Sequence, residues 1–140
     1  MVADLTMPRG LPLTLRVLDA SMLFYWGIAT LACAGLLHLP QEMMYAGYGT
    51  EQVDAWNWSF APLDLAFALT GLLAVRIARR SDPRWRPVAL ISLALTFCAG
   101  LMAISYWALT GDFDPAWWLP NLALIGAALW WLPRLVGSRG

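Results

Sequence analysis

Val88-Ala-Leu-Ile-Ser-Leu-Ala-Leu-Thr-Phe-Cys-Ala-Gly-Leu-Met-Ala-Ile-Ser-Tyr-Trp-Ala-Leu109 decides the fold class: 22 residues without a single charge. An α-helix needs about 20 mostly apolar residues to cross ~30 Å of hydrocarbon. A soluble helix of that length carries a polar stripe instead. Three further stretches share the character. Val17–Leu39 is interrupted only by Asp19 near its start and His38 at its end. Trp58–Ile77 carries Asp64 and Arg76. Trp117–Val136 carries Asn121 and Arg134, with Pro133 shortening its apolar run. The reading is an all-α membrane protein, a four-transmembrane-helix bundle with helices at about 17–39, 58–77, 88–109 and 117–136. Of the 140 residues, 60% are hydrophobic and 13% charged, against roughly 45–50% and about 25% in soluble domains. That composition excludes a disordered chain. Two cysteines exclude a disulfide scaffold. The polar pieces between spans are short, so residues 1–140 read as a single integral membrane domain. The first span is too long, and wrongly flanked, for a removed signal peptide.

Charge is sparse but ordered. All nine basic residues are arginine. Arg9 and Arg16 precede the first span, Arg76, Arg79, Arg80, Arg84 and Arg86 flank the second loop, and Arg134 and Arg139 follow the fourth. The first and third loops hold no base, but carry Glu42, Glu51, Asp54, Asp112 and Asp114. The positive-inside rule then places both termini in the cytoplasm. So one-sided a bias argues against the dual insertion of some small four-span exporters. Without lysine the chain forms no Schiff base with a carbonyl ligand. One histidine and two cysteines supply no conventional metal site. No cofactor is expected, and nothing supports nucleic-acid binding. The arginine-rich second loop reads first as a topology signal and second as a contact for anionic lipid.

Asp64 is the sharpest feature. It lies about seven residues inside span two, roughly 10 Å deep at ~1.5 Å per residue. An acid at that depth costs on the order of a few kcal/mol to insert and is a functional candidate. Asn121 sits at a similar depth in span four. Trp58-Ser-Phe-Ala-Pro-Leu-Asp64 and Trp117-Trp-Leu-Pro-Asn121 resemble each other, so the two polar residues are expected to face a common interior. Asn57, Ala61, Asp64, Ala68 and Gly71 share one face of span two, and small residues there allow close approach. Ser92, Thr96, Ala99, Ala103 and Tyr106 form a comparable face on span three. Of the nine tryptophans, Trp56, Trp58, Trp107, Trp117 and Trp118 map to the Arg-free side. An aromatic belt accounts for them. The sharper reading is a pocket whose ring faces and acids hold a cation or a flat apolar ligand. Asn57, Asp64, Tyr106, Trp107, Asp112, Asp114, Trp117 and Asn121 are its candidate residues. Asp112 and Asp114 also suit turn and helix-cap roles. Asp19, three residues after Arg16, reads as a locally paired residue. His38 reads as an interfacial ring.

Two stretches carry a family resemblance. One is Ala55-Trp-Asn-Trp-Ser-Phe-Ala-Pro-Leu-Asp-Leu through Gly71. The other runs from Leu93 through Ser105-Tyr-Trp-Ala-Leu-Thr-Gly-Asp-Phe-Asp-Pro-Ala-Trp-Trp-Leu-Pro-Asn-Leu122. The chain resembles the YvaD-like family of small four-span bacterial membrane proteins of unknown function. The resemblance implies a four-helix fold and a bacterial inner membrane. It implies no activity, and no catalytic residue carries over.

The leading expectation is a non-enzymatic integral membrane protein. Its partners would be the lipid bilayer and a small lipophilic or cationic ligand or protein, bound through an outer-leaflet pocket at Asp64. One alternative is an intramembrane isomerase or cyclase of lipid or terpene type, with Asp64 as the acid. Another is a small proton-coupled exporter, and a third an accessory subunit of a larger complex. A roomy aromatic cavity at Asp64 favours the first two. An apolar plug beyond Gly71 disfavours the exporter.

Overall fold

The computed structural model describes residues 6–137; Arg139 of the arginine count lies outside them. The described residues form helices and no strand: α1 (Leu11–Cys33), α2 (Glu51–Ser59), α3 (Ala61–Ala78), α4 (Trp85–Thr110) and α5 (Pro115–Gly137), with a 3₁₀ turn at Gln41–Met43. α2 and α3 run on as one stretch, Glu51–Ala78. With that pair counted together, four helices are long and apolar enough to cross a membrane. The all-α, four-span class read from the sequence therefore holds.

Local chemistry sets the ends. α1 starts earlier than the hydropathy suggests, because Gly10 (φ 92°) turns the chain and Pro12 suits a first turn. It also ends earlier, at Cys33 rather than Leu39. Gly35 takes the left-handed conformation (φ 72°) and the Leu36 N–H folds back to Leu31 O at 3.0 Å, a glycine stop. His38 is left exposed beyond it. Thr50 lies just before α2 in extended backbone, and its hydroxyl donates to Gly47 O rather than to the helix. The α2–α3 break falls at Phe60, two residues before Pro62, whose missing N–H interrupts the ladder. Gly111 (φ 72°) closes α4, with the Asp112 N–H bonded to Trp107 O at 3.0 Å. Asp114 starts α5: its Oδ1 accepts the Ala116 N–H at 2.9 Å. α5 continues through Pro120 and Pro133 to Gly137.

α3 packs on α4, α1 on α3 and α5 on α4, while α1 and α5 meet only slightly. Small residues make the close approaches. A Cβ on Gly100 would stand 2.8 Å from the main-chain oxygen of Asn121, so α4 and α5 nearly touch there. Of the sequence-derived small faces, Asp64, Ala68 and Gly71 on α3 and Ser92, Thr96, Ala99 and Ala103 on α4 are buried, while Asn57, Ala61 and Tyr106 are half-buried.

The two ends of the bundle are filled differently. At the Arg-bearing end Leu11, Leu15, Ala74, Val75, Trp85, Ala89, Leu93, Trp131 and Leu135 form one continuous apolar core. Arg86 reaches in to bond the Leu135 carbonyl, and Arg134 lies 3.5 Å over the Trp130 ring. In the Arg84–Asp82 pair, both on the exposed loop, the Arg84 guanidinium holds the Asp82 carboxyl below its usual range. At the Arg-free end Trp26, Phe60 and Ala103 form a smaller buried cluster, and space remains beside them. Cys33 and Cys98 are free and exposed.

Candidate functional site

The space at the Arg-free end is organised around Asp64. The break at Phe60 starts a fresh helix, and the Asp64 N–H donates to Phe60 O at 2.8 Å. The acid therefore sits in the first turn of α3, where the helix dipole favours negative charge. Trp26, on α1, donates its Nε1–H to Asp64 Oδ2 at 2.9 Å. Both side chains are buried, with Asp64 6% exposed. Trp26 thus satisfies one carboxylate oxygen. Among the described residues no hydrogen bond to Oδ1 is seen, and the Asp64 residue lines a cavity.

That cavity measures about 470 Å³, within the range of small-molecule sites. Every long helix contributes to its wall, and no arginine does. α1 gives Tyr25 and Trp26, α2 gives Trp56 and Asn57, α3 gives Phe60 and Asp64, α4 gives Trp107, and α5 gives Trp117 and Asn121. Edge-to-face contacts hold the rings, with Tyr25–Trp26 centroids 5.1 Å apart, Trp56–Phe60 4.9 Å and Trp56–Trp107 5.3 Å. Asn121 donates one Nδ2–H to Trp117 O at 2.8 Å, which leaves its side-chain oxygen and its second N–H for other partners.

A second cavity of about 330 Å³ lies on the loop side of the first. Tyr25, Asn57 and Trp117 line both and so form the partition between them. The Tyr25 hydroxyl donates across it to Asn57 Oδ1 at 3.4 Å. In the outer space the Tyr45 hydroxyl donates to Asp54 Oδ1 at 2.7 Å, and the Gly49 N–H reaches the same oxygen. Burial first, and then the Asp54 carboxylate, push the Tyr45 hydroxyl above its usual range.

Of the eight candidates named from sequence, Asn57, Asp64, Trp107, Trp117 and Asn121 line the inner cavity. Asp64 and Asn121, matched in the sequence by depth and by the likeness of the segments before them, line the same space. Tyr106, Asp112 and Asp114 stand elsewhere. Tyr106 stacks flat on Trp56 at 3.6 Å and supports the wall from behind. Asp112 takes the Asp114 N–H on Oδ1 and the Trp118 Nε1–H on its main-chain oxygen. Asp114 caps α5. Both acids are occupied with loop backbone, the role their Gly-Asp and Asp-Pro contexts favour. Trp58 and Trp130 are exposed, as belt residues are.

Trp26 is absent from the eight candidates, and Asp19 is expected from the sequence in a local ion pair. The structure corrects the second. Asp19 is 1% exposed and points into the bundle, and neither oxygen accepts a hydrogen bond among the described residues. Arg16, one turn earlier on α1, is exposed. Asp19 Oδ2 lies where a Gly71 Cβ would stand 2.0 Å away, with Ser92 Oγ 2.8 Å from the same point. A signal was present: Leu11, Leu15, Asp19 and Trp26 fall on one helical stripe, and all four are buried.

Residues 11–139 match the model of a family described as a family of unknown function, DUF5360. The uncharacterized protein YvaD of Bacillus subtilis (strain 168) is 36% identical over 128 residues, covering 91% of this chain and 92% of YvaD. No solved structure matches the chain. With the family model covering nearly all of the sequence, and a relative similar from end to end, the chain belongs to the DUF5360 family.

Proposed function

We propose that this protein is a multi-pass protein of the bacterial cytoplasmic membrane, with both termini cytoplasmic, that binds a small amphipathic or cationic ligand at Asp64. One observation carries the reading: a buried carboxylate, held by Trp26 through one oxygen, lines an aromatic cavity that no arginine lines. An acid within the bilayer is expensive unless something compensates it. A cation supplies the missing charge, and the faces of Trp26, Trp56, Trp107 and Trp117 add cation–π attraction and apolar contact. Asn121 and Asn57 offer polar groups at the same level.

The orientation rests on the arginines, which collect at one end of the bundle. The cavity would then open in the outer half of the membrane. Export of the ligand would need a route from Asp64 to the opposite end. Ala74, Val75 and Leu93, with Leu11 and Leu15, fill that end beyond Gly71, so binding is better supported than transport.

The test is native mass spectrometry of gently extracted full-length protein, parent against Asp64→Asn. Asparagine keeps an oxygen for the Trp26 bond and removes the charge. The expected result is a small cationic adduct on the parent that is lost from the variant at unchanged helical content. An adduct retained equally on both overturns the reading.

A further inference from the structure

Resting on that binding reading, we infer that the ligand is a single-chain cationic amphiphile that enters sideways, between α1 and α5, with its head at Asp64 and its chain trailing into the bilayer.

The packing of α1 and α5 points to this. α1 leans on α3 and α5 on α4, and the two scarcely touch each other. They are tied at two levels. At the Arg-bearing end Trp131 Nε1 donates to Thr14 Oγ1 at 3.2 Å, and the Trp131 ring packs with Leu11 and Leu15. At the Arg-free end Trp117 receives Tyr25 and Tyr45 edge-on, at 6.3 and 6.0 Å. Between the ties, the α1 side of the cavity is Leu18 to Met22 and the α5 side Asn121 to Leu124. Ser21 and Ala123 line the cavity there and are nonetheless exposed on the outside of the bundle. The wall at that level is therefore one side chain thick, flanked by two helices that are not packed together.

The chemistry of the rim selects the occupant. The Ser21 hydroxyl is spent on Val17 O at 2.6 Å, so the opening presents apolar surface with Leu18, Met22 and Ala123. At mid-membrane depth only hydrocarbon lies outside it. An apolar rim leading to a lone carboxylate suits a molecule apolar at one end and cationic at the other. A compact hydrophilic cation would have to come instead through the loop-side cavity and past the Tyr25–Asn57 hydrogen bond.

The experiment uses the full chain in liposomes. Cys33→Ala and Cys98→Ala remove the native thiols. Ser21→Cys with Ala123→Cys is then bridged by a cleavable bis-thiol reagent. The probe is a dodecyl-dimethylammonium with a nitroxide on its head, added to the lipid, and quenching of the cavity tryptophans reports arrival. The expected result is that bridging slows quenching on the order of tenfold, and that cleaving the bridge in the same protein restores the rate. Ser21→Trp, which fills the opening without a reagent, is expected to slow it likewise. Unchanged rates in both the bridged protein and Ser21→Trp overturn lateral entry and leave the loop-side route. If quenching in the unbridged protein does not depend on Asp64, tested with Asp64→Asn, then the binding reading itself fails.

Discussion

Two acids lie inside this bundle, and their surroundings are opposite. Asp64 has a hydrogen-bond donor in Trp26 and a cavity in front of it. Asp19 has neither: both oxygens lack a donor among the described residues, and the space it occupies exists because residue 71 is glycine. About seven residues of α3, or ~10 Å along the axis, separate Asp64 from Gly71. Phe67 and Ala68, both fully buried, fill the interval. The Arg-free half is thus an acid presented to an empty space, and the Arg-bearing half an acid sealed into an apolar core. Burial of a carboxylate alone does not mark a ligand site. The distinction lies in whether the carboxylate lines open space or is enclosed by packed side chains.

The largest expected effect sharpens the sealed half. Gly71→Ala puts a methyl group against Asp19 and Ser92 in a closed core and is expected to cost about 2–3 kcal/mol, the upper range for overpacking. Adding Asp19→Ala removes the colliding carboxylate and should recover most of that loss, a coupling readable in a double-mutant cycle of thermal stability. If the two changes are additive, the contact between the acid and the glycine is not what seals this half.

The next tests the open half by charge alone. Asp64→Asn should weaken binding of a small quaternary ammonium about tenfold, roughly 1.4 kcal/mol, while leaving the melting temperature close to that of the parent. A variant that melts much earlier would make Asp64 a strut like the residues around Asp19.

Smaller still is Trp131→Phe, which deletes the bond to Thr14 that ties α1 to α5. It should cost about 1 kcal/mol and leave ammonium affinity unchanged, because the tie sits outside the cavity. The smallest effect belongs to the exposed Arg84–Asp82 pair. Asp82→Asn is expected to leave stability near neutral pH almost unaltered, as exposed pairs do. The Asp82 carboxyl is depressed in the folded chain. Its slight contribution is therefore present above the ordinary carboxylate range and fades as pH falls through the folded value. An acid titration in which parent and variant part company at neutral pH would contradict that assignment.

How much of this was legible beforehand depends on the kind of signal. α4 was readable because 22 uncharged residues allow few other structures. The ends of α1 were not, since hydropathy continues past Cys33 while a left-handed Gly35 stops the helix. The α2–α3 break was half legible: Pro62 announces a missing hydrogen bond, but not whether the helix bends or restarts. Within the site, Asp64 and Asn121 could be paired because each follows a proline at similar depth. The aromatic wall was less accessible, because a belt tryptophan and a pocket tryptophan have the same sequence context. Trp56 and Trp58 are two residues apart, yet Trp56 is in the inner wall and Trp58 is exposed. Asp19 was hidden by Arg16, whose closeness in sequence suggests a pair, whereas the acid is buried in the bundle and the base is exposed.

The most direct test of the central claim is the dissociation constant of tetraethylammonium for the full-length protein and for Asp64→Asn, measured by tryptophan fluorescence at neutral pH. The account predicts saturable quenching or enhancement in the parent and an affinity about tenfold lower in the variant, with the same melting temperature. Equal affinity in the two proteins, or no saturable signal in either, would contradict it.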